Sequence, residues 1–292
     1  MESIPEIASD MNRWSGIFGE DHPLIDTEEY YGSPENIAAM KRSAALWSLL
    51  KDDPRFAYYG RLVGLSQPIE NAAQILASLA RLQGAGPCYF FPKTKVEALF
   101  SEFGAAGLSN DRHEHFIGGE TAYAAAKETL SAHDLPADLT LRRLDGDTPG
   151  EFVANVVDLM ESCEVMPVPA AILRGRQGKG ICLAVTDSEG NPVCAASSYF
   201  MHPASSPHAN TVFWGMLATR PDWRGKKIAL VLGAMAMVHM WEQLGARAFM
   251  TGVRQNNAPS TALCNKLGVT DSKWAYAVCV DTKTLGRETV TK

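Results

Sequence analysis

The sequence predicts an α/β (α+β) fold, a mixed and mostly antiparallel sheet flanked by helices, present as two such domains of which the first is degenerate. Three observations predict it. From Asp138 onward, apolar segments of strand and helix period follow one another as strand, helix, helix, three strands, helix, strand, helix, strand. The stretches "LARLQGAGPCYFFPKTKVEALFSEFGAAG" (79–107) and "MWEQLGARAFMTGVRQNNAPSTALCNKLG" (240–268) share the order helix, Gly, strand, short helix, Gly, which reads as an internal repeat. The chain has 292 residues, 46% of them hydrophobic, enough for two ordinary domains. The expected division is 1–137, a degenerate or accessory domain, and 138–292.

In the first part, "SPENIAAMKRSAALWSLL" predicts a helix with Ser33 as its N-cap and Pro34 inside the first turn. "RFAYYGRLVG" (55–64) reads as a strand. A helix follows over 67–82, then a strand at "PCYFFPK", a helix at "KVEALFSEFG" and a strand at "HEHFIGG".

In the second part, "LTLRRL" (139–144) is a strand. "TPGEFVANVVDLMESC" starts with a Thr N-cap and Pro at the first helical position, then carries apolar residues at helical spacing. "VPAAILRG" is a short second helix. "ICLAVTD" and "VCAASSYFM" flank the turn signal "SEGNP" and form a hairpin. "NTVFWGMLAT" is the third strand of the run. A long helix from about Arg224 to Leu244 is stopped by Gly245. "RAFMTGV" is a strand, "NAPSTALCNKLG" a short helix capped by Asn257, and "KWAYAVCVD" the last strand. The tail "TKTLGRETVTK" reads as loose.

Composition excludes several classes of function. The net charge of −6 argues against a nucleic-acid binder, which would carry a basic footprint. No apolar run approaches the ~18 residues of a membrane span, so no membrane partner is expected. The start "MESIPEIASDMNRW" is acidic and polar, without a signal-peptide pattern. Cys88, Cys163, Cys182, Cys194, Cys264 and Cys279 are scattered with no C-x-x-C pair, as reduced thiols of a cytoplasmic protein would be. "RHEH" sets His113 and His115 two apart, but no further ligands gather around them, so no metal is expected.

The stretch "ATRPDWRGKKIALVL" (218–232) carries the chemistry. A strand ends in a Pro-containing turn, and Arg224, Gly225, Lys226 and Lys227 lead straight into a helix pattern. A helix N-terminus with free N–H groups and added cations suits a phosphate. The plain alternative is a solvated basic turn. About thirty residues on, "NNAPSTALCNKLG" (256–268) places Asn257, Ser260, Leu263, Lys266, Leu267 and Gly268 at a recurring spacing.

Together these stretches resemble the GNAT superfamily of N-acetyltransferases, over about 139–281. The family's signature is Arg or Gln, two residues, Gly or Ala, one residue, Gly or Ala. Here Arg224 opens it and Ala229 closes it, while Lys227 stands where a small residue is usual. In the second stretch Cys264 replaces the family's tyrosine. The resemblance implies acetyl-CoA as cosubstrate, its pyrophosphate held by Arg224, Gly225, Lys226, Lys227, Ile228 and Ala229, with Asn257 and Ser260 close by. It also implies that the strand carrying Leu217, Ala218 and Thr219 splays from its neighbour. Backbone groups there would pair with the pantetheine arm and polarise the thioester carbonyl. The first repeat carries "GLSQPIEN" where the anion turn would stand, so no coenzyme A is expected there.

The resemblance implies direct attack by a primary amine, and the lack of any acidic or basic docking tract points to a small molecule or amino acid as its carrier. Such an amine, with a pKa near ~10, must first lose a proton. The family's usual strand glutamate is replaced by Phe213, Trp214, Gly215 and Met216. Glu164, His202, His208 or a water chain are the candidate bases. Cys264 is either a general acid or a small packed hydrophobe. Tyr199, Phe213 and Trp214 are candidate walls of the acceptor pocket, although aromatic strand residues are more often core than pocket. The second hypothesis is a non-catalytic acyl-CoA-binding sensor or regulatory module. A nucleotide-phosphate enzyme lacks its Gly-x-x-x-x-Gly-Lys-Ser/Thr pattern. Homodimerisation is left open.

Overall fold

A computed structural model describes residues 30–290. The reading of "MESIPEIASDMNRW" lies outside the described residues. The chain runs α1 (Pro34–Leu50), β1 (Phe56–Ala57), β2 (Gly64–Leu65), α2 (Ala72–Gln83), β3 (Ala85–Pro92), α3 (Val96–Ala105), β4 (Ser109–Gly118) and α4 (Glu120–Ala132). It continues with β5 (Thr140–Arg143), α5 (Gly150–Ser162), α6 (Ala170–Leu173), β6 (Gly180–Thr186), β7 (Pro192–Phe200) and β8 (Thr211–Thr219). Last come α7 (Ile228–Glu242), β9 (Ala248–Val253), α8 (Ala258–Lys266), β10 (Thr270–Val280) and α9 (Thr282–Leu285).

The strands form one ten-stranded sheet in the order β1-β2-β3-β10-β4-β9-β8-β7-β6-β5. Only β2–β3 and β8–β9 pair in parallel. The repeat read from the sequence is visible as structure. Unit α2-β3-α3-β4 corresponds to α7-β9-α8-β10. Gly84 and Gly245 follow the first helix of each unit with φ of 104° and 80°, and Gly107 and Gly268 follow the second with 71° and 67°. The last strands of the two units pair antiparallel, His113 opposite Tyr276. Each also reaches into the other unit: β10 lies against β3, and β4 against β9. The chain passes from first part to second between α4 and β5, yet sheet hydrogen bonding runs across that point.

Helix α7 is apolar on almost every side, with Ile228, Leu232, Ala236, Met237 and Met240 buried. Such a helix needs cover on both faces. The sheet of β6, β7 and β8 covers one, and α4 covers the other, with Ala122 and Ala126 buried and Tyr123 stacked on Trp241 at 4.9 Å. The sequence reading passed over α4, although "TAYAAAKETL" is rich in helix-forming alanine.

Four further expectations are corrected. "RFAYYGRLVG" is two short strands around a loop, because Gly60 turns the chain at φ 109°. Helix α7 starts at Ile228 instead of Arg224, because Gly225 (φ 79°) and Lys227 (φ 60°) break helical geometry. The tail is tied down through residue 290: α9 forms, and the Val290 N–H donates to Asp111 Oδ2 at 3.2 Å. Ser33 makes no side-chain cap; its backbone N–H and hydroxyl both donate to Glu161, across to α5.

Candidate active site

Parallel pairing of β8 with β9 covers only Thr211, Val212 and Phe213, opposite Ala248, Phe249 and Met250. Beyond Phe213 the strands part. The cause lies on the other edge of β8. Ala195 of β7 faces Ala218, but Ser197 faces Gly215, so the extra residue of a bulge sits at Met216–Leu217. Met216 takes a φ of 52°, unusual for a residue with a side chain. The gap opens into a cavity of about 530 Å³.

On one side this cavity is lined by Leu217, Thr219, Arg224, Ala229, Asn257 and Ser260, all sequence-predicted cofactor residues. Arg224 Nε donates to the Thr219 carbonyl at 3.1 Å. Asn257 caps α8 by accepting from the Ser260 N–H at 3.1 Å. The N–H groups of the first turn of α7 have no partner within the helix. Gly225 has open space where a side chain would start, so its backbone twist, not crowding, requires glycine. The remaining predicted residues stand elsewhere. Ala218 and Ile228 are buried in the core. Lys226 Nζ lies 3.9 Å from the Trp223 ring centroid. Lys227 Nζ reaches His133 Nε2 at 3.3 Å, so the one residue that breaks the small-residue pattern directs its side chain to the loop after α4.

The other side is built largely by the first half of the chain. Tyr59, Arg61, Tyr89 and His113 line it, with Tyr276 from β10 and Glu164 from the turn after α5. Tyr59 stacks on Phe213, centroids 4.1 Å apart and 11° between planes. Tyr89 meets Tyr276 edge-on at 5.2 Å and donates its hydroxyl to the Leu62 carbonyl at 3.1 Å. His113 Nε2 lies 3.3 Å from Asp111 Oδ2. That buried carboxylate also accepts from Arg254 Nη2 at 2.9 Å. Burial pushes the Asp111 carboxyl up, but His113, Arg254 and the Val290 N–H together hold it below the usual range. Gly252 must be small, since a Cβ there would stand 2.8 Å from the Tyr276 ring and 3.2 Å from His113 Cβ. Glu164, at φ 62°, also borders a second cavity of about 200 Å³.

Of the candidate bases, only Glu164 lines the main cavity; His202 and His208 do not. His202 bonds Ser66 Oγ through Nδ1 at 2.9 Å, and burial pushes its imidazole down to about 3. His208 stacks on Phe90 at 3.9 Å and is also pushed down by burial. Of the aromatic wall, Phe213 and Trp214 line the cavity while Tyr199 is packed in the core. Trp214 donates Nε1–H to the Gly233 carbonyl at 3.0 Å. Cys264 lines the cavity but is 3% exposed, and burial pushes its thiol up to about 12. His113 and His115 diverge, to Asp111 and Ser272. Among the described residues, no group of three His, Cys, Asp or Glu side chains is placed to hold a metal ion.

Sequence reasoning missed Tyr59, Arg61, Tyr89, His113 and Tyr276 as site residues. Two signals were available. Arg61 is a lone cation inside the apolar run "FAYYGRLVG". Asp111 and His113 sit two apart on a strand and so share a face.

Residues 157–269 match the model of the Acetyltransferase (GNAT) family. No curated protein matches. Two solved structures share the fold. A GCN5-related N-acetyltransferase from Kribbella flavida is 13% identical with a TM-score of 0.52, over 84% of this chain and 95% of that one. A Drosophila protein is 13% identical with a TM-score of 0.51, over 85% and 89%. The chain has the GNAT fold, and the match to the acetyltransferase (GNAT) family model lies within its second half. Among the described residues, no helix is long and apolar enough to cross a membrane.

Proposed function

We propose that the protein is an acetyl-CoA-dependent N-acetyltransferase acting on a primary amine of a small molecule or amino acid. The observation that carries this reading is the gap between β8 and β9, which runs from the N-terminus of α7 into a pocket walled by the first half of the chain. The cosubstrate supplies an activated thioester. The chain's own part is to bind, orient and deprotonate. Arg224 and the N–H groups opening α7 are suited to a pyrophosphate. Backbone groups at Met216–Leu217, freed by the bulge, are suited to polarise a thioester carbonyl. His113, oriented by the Asp111 carboxylate, is the candidate general base, and Glu164 is the alternative across the cavity. The departing thiolate, with a thiol pKa near ~8.5, needs little help. Proton transfer to it from Cys264, at about 12, runs uphill. A reducing, cytoplasmic setting belongs to this reading and is supported by six free cysteines.

The acyl-CoA sensor is the second reading, favoured by Phe213, Trp214, Gly215 and Met216 where the family glutamate would stand. Calorimetry with acetyl-CoA and thiol release across a panel of amines separates the two. The expected result is binding plus turnover, with His113→Gln lowering kcat by at least ~100-fold while acetyl-CoA affinity is unchanged. Tight binding without turnover on any amine establishes the sensor.

A further inference from the structure

We propose that the acceptor amine carries a carboxylate, and that Arg61 is the residue that recognises it; this deepens the acetyl-transfer reading and rests on it. Arg61 lies in the loop between β1 and β2, lines the main cavity and is 8% exposed. Its Nε and Nη2 atoms are buried and have no hydrogen-bond partner among the described residues. A buried cation without partners is costly, and such groups are retained where a ligand completes them. The identity of the two atoms matters. Nε–H and Nη2–H project from one edge of the guanidinium plane. That edge is the fork a carboxylate occupies with two parallel N–H···O bonds.

The groups that touch Arg61 leave this fork free. Its guanidinium carbon lies 5.7 Å from the ring centroids of both Tyr59 and Phe213, which orient it by cation–π contact. The neighbouring charge is also positive. Burial first, and then the charge of Arg61, push the Arg287 guanidinium down. Arg287 is already engaged, its Nη2 donating to Asn36 Oδ1 at 3.1 Å and to the Val290 carbonyl at 3.0 Å. It contributes field but no second fork, which suits a singly charged carboxylate better than a phosphate dianion. Phe213 is the last residue of β8 paired to β9, so an anion on Arg61 sits beside the gap. An amine adjacent to that carboxylate, as in an α-amino acid, is then held where the thioester is presented, in the same cavity as His113.

The test compares three acceptors of matched size at saturating acetyl-CoA: an amino acid, its amide, and the corresponding aminophosphonate. The wild-type protein is expected to favour the amino acid over the amide by about 10- to 100-fold in kcat/KM, the range of a charged hydrogen-bonded pair. Arg61→Gln should bring acid and amide within about threefold while acetyl-CoA affinity stays unchanged. The same comparison is made by binding, titrating N-acetyl amino acid against N-acetyl amino amide into CoA-saturated protein by calorimetry. Equal use and equal binding of acid and amide overturn the role of Arg61 and leave the transferase reading intact. Preference for the phosphonate overturns the carboxylate assignment. Binding of the acid tenfold tighter than the amide, without turnover on any amine, supports Arg61 and overturns the transferase reading. If Arg61→Gln does not fold, Arg61→Lys, which keeps the charge and loses the two-bond fork, takes its place and should lose at least half of the wild-type preference on a logarithmic scale; an unchanged preference overturns the role of Arg61.

Discussion

Acid should destabilise this protein well above the pH at which carboxylates titrate, and His202 isolates the cause. Its imidazole is 8% exposed, hydrogen-bonded to Ser66 and pushed by burial to about 3. In the unfolded chain it returns to about 6.5. The folded pKa is depressed, so the unfolded state binds the extra proton. The stability from the neutral folded imidazole is therefore fully present above about 6.5 and is lost as pH falls from there towards 3. Between pH 7 and pH 5 that loss is about 2 kcal/mol for a single histidine of this kind. His115, fully buried and likewise pushed to about 3, adds a similar amount. Urea unfolding at pH 7 and pH 5 measures it. Wild type should lose about 4 kcal/mol from these two groups, and His202→Asn should lose about 2 kcal/mol less than wild type over the same interval. An identical fall in wild type and His202→Asn would refute the reasoning. So would an NMR titration placing His202 near its ordinary value.

Gly225→Asp sets a carboxylate against the proposed pyrophosphate site and forces a side chain into a φ of 79°. It should weaken acetyl-CoA binding by at least ~10-fold, about 1.4 kcal/mol, by calorimetry on a variant whose circular dichroism matches wild type. Unchanged affinity would remove the Arg224–Ala229 turn from the site. Cys264→Ala and Cys264→Ser should each change stability by about 1 kcal/mol and leave turnover per folded molecule intact, because the thiol is buried and reluctant to ionise. A loss beyond tenfold in both would make Cys264 catalytic.

The side of the cleft lined by Arg224, Ala229, Asn257 and Ser260 was legible in the sequence because it depends on contiguous residues. Arg224 to Ala229 and Asn257 to Gly268 each form one turn and one helix start, and their spacing carries the resemblance to the family. The repeat was legible for the same reason, as glycines after helices recur in matching places. The opposite side was not. Tyr59 and Tyr89 meet Phe213 and Tyr276 only because the first half of the sheet is hydrogen-bonded to the last strand. No local pattern announces a contact between residues so far apart in sequence. "FAYYGRLVG" misled in a specific way: its β-forming composition suggested a strand, while Gly60 made it the loop that carries Arg61. "RHEH" drew attention for metal binding, and the Asp two residues before its first histidine went unread.

The mutual insertion of β4 and β10 also fixes when the protein can be finished. A ribosome releases β3 and β4 long before β10, yet in the native sheet these two strands never touch; β10 fills the space between them. Until the final strand emerges, the first half holds two open backbone edges that face a missing neighbour, and open edges of this kind invite pairing with other chains. The second half has the converse requirement, since β9 pairs with a strand synthesised more than a hundred residues earlier. Folding is thus a closure event late in synthesis, with high contact order, and not the docking of two finished domains. The cavity beside β8 inherits this order. Its walls join residues of the first half to β8, α8 and β10, so this cavity is among the last parts of the molecule to exist.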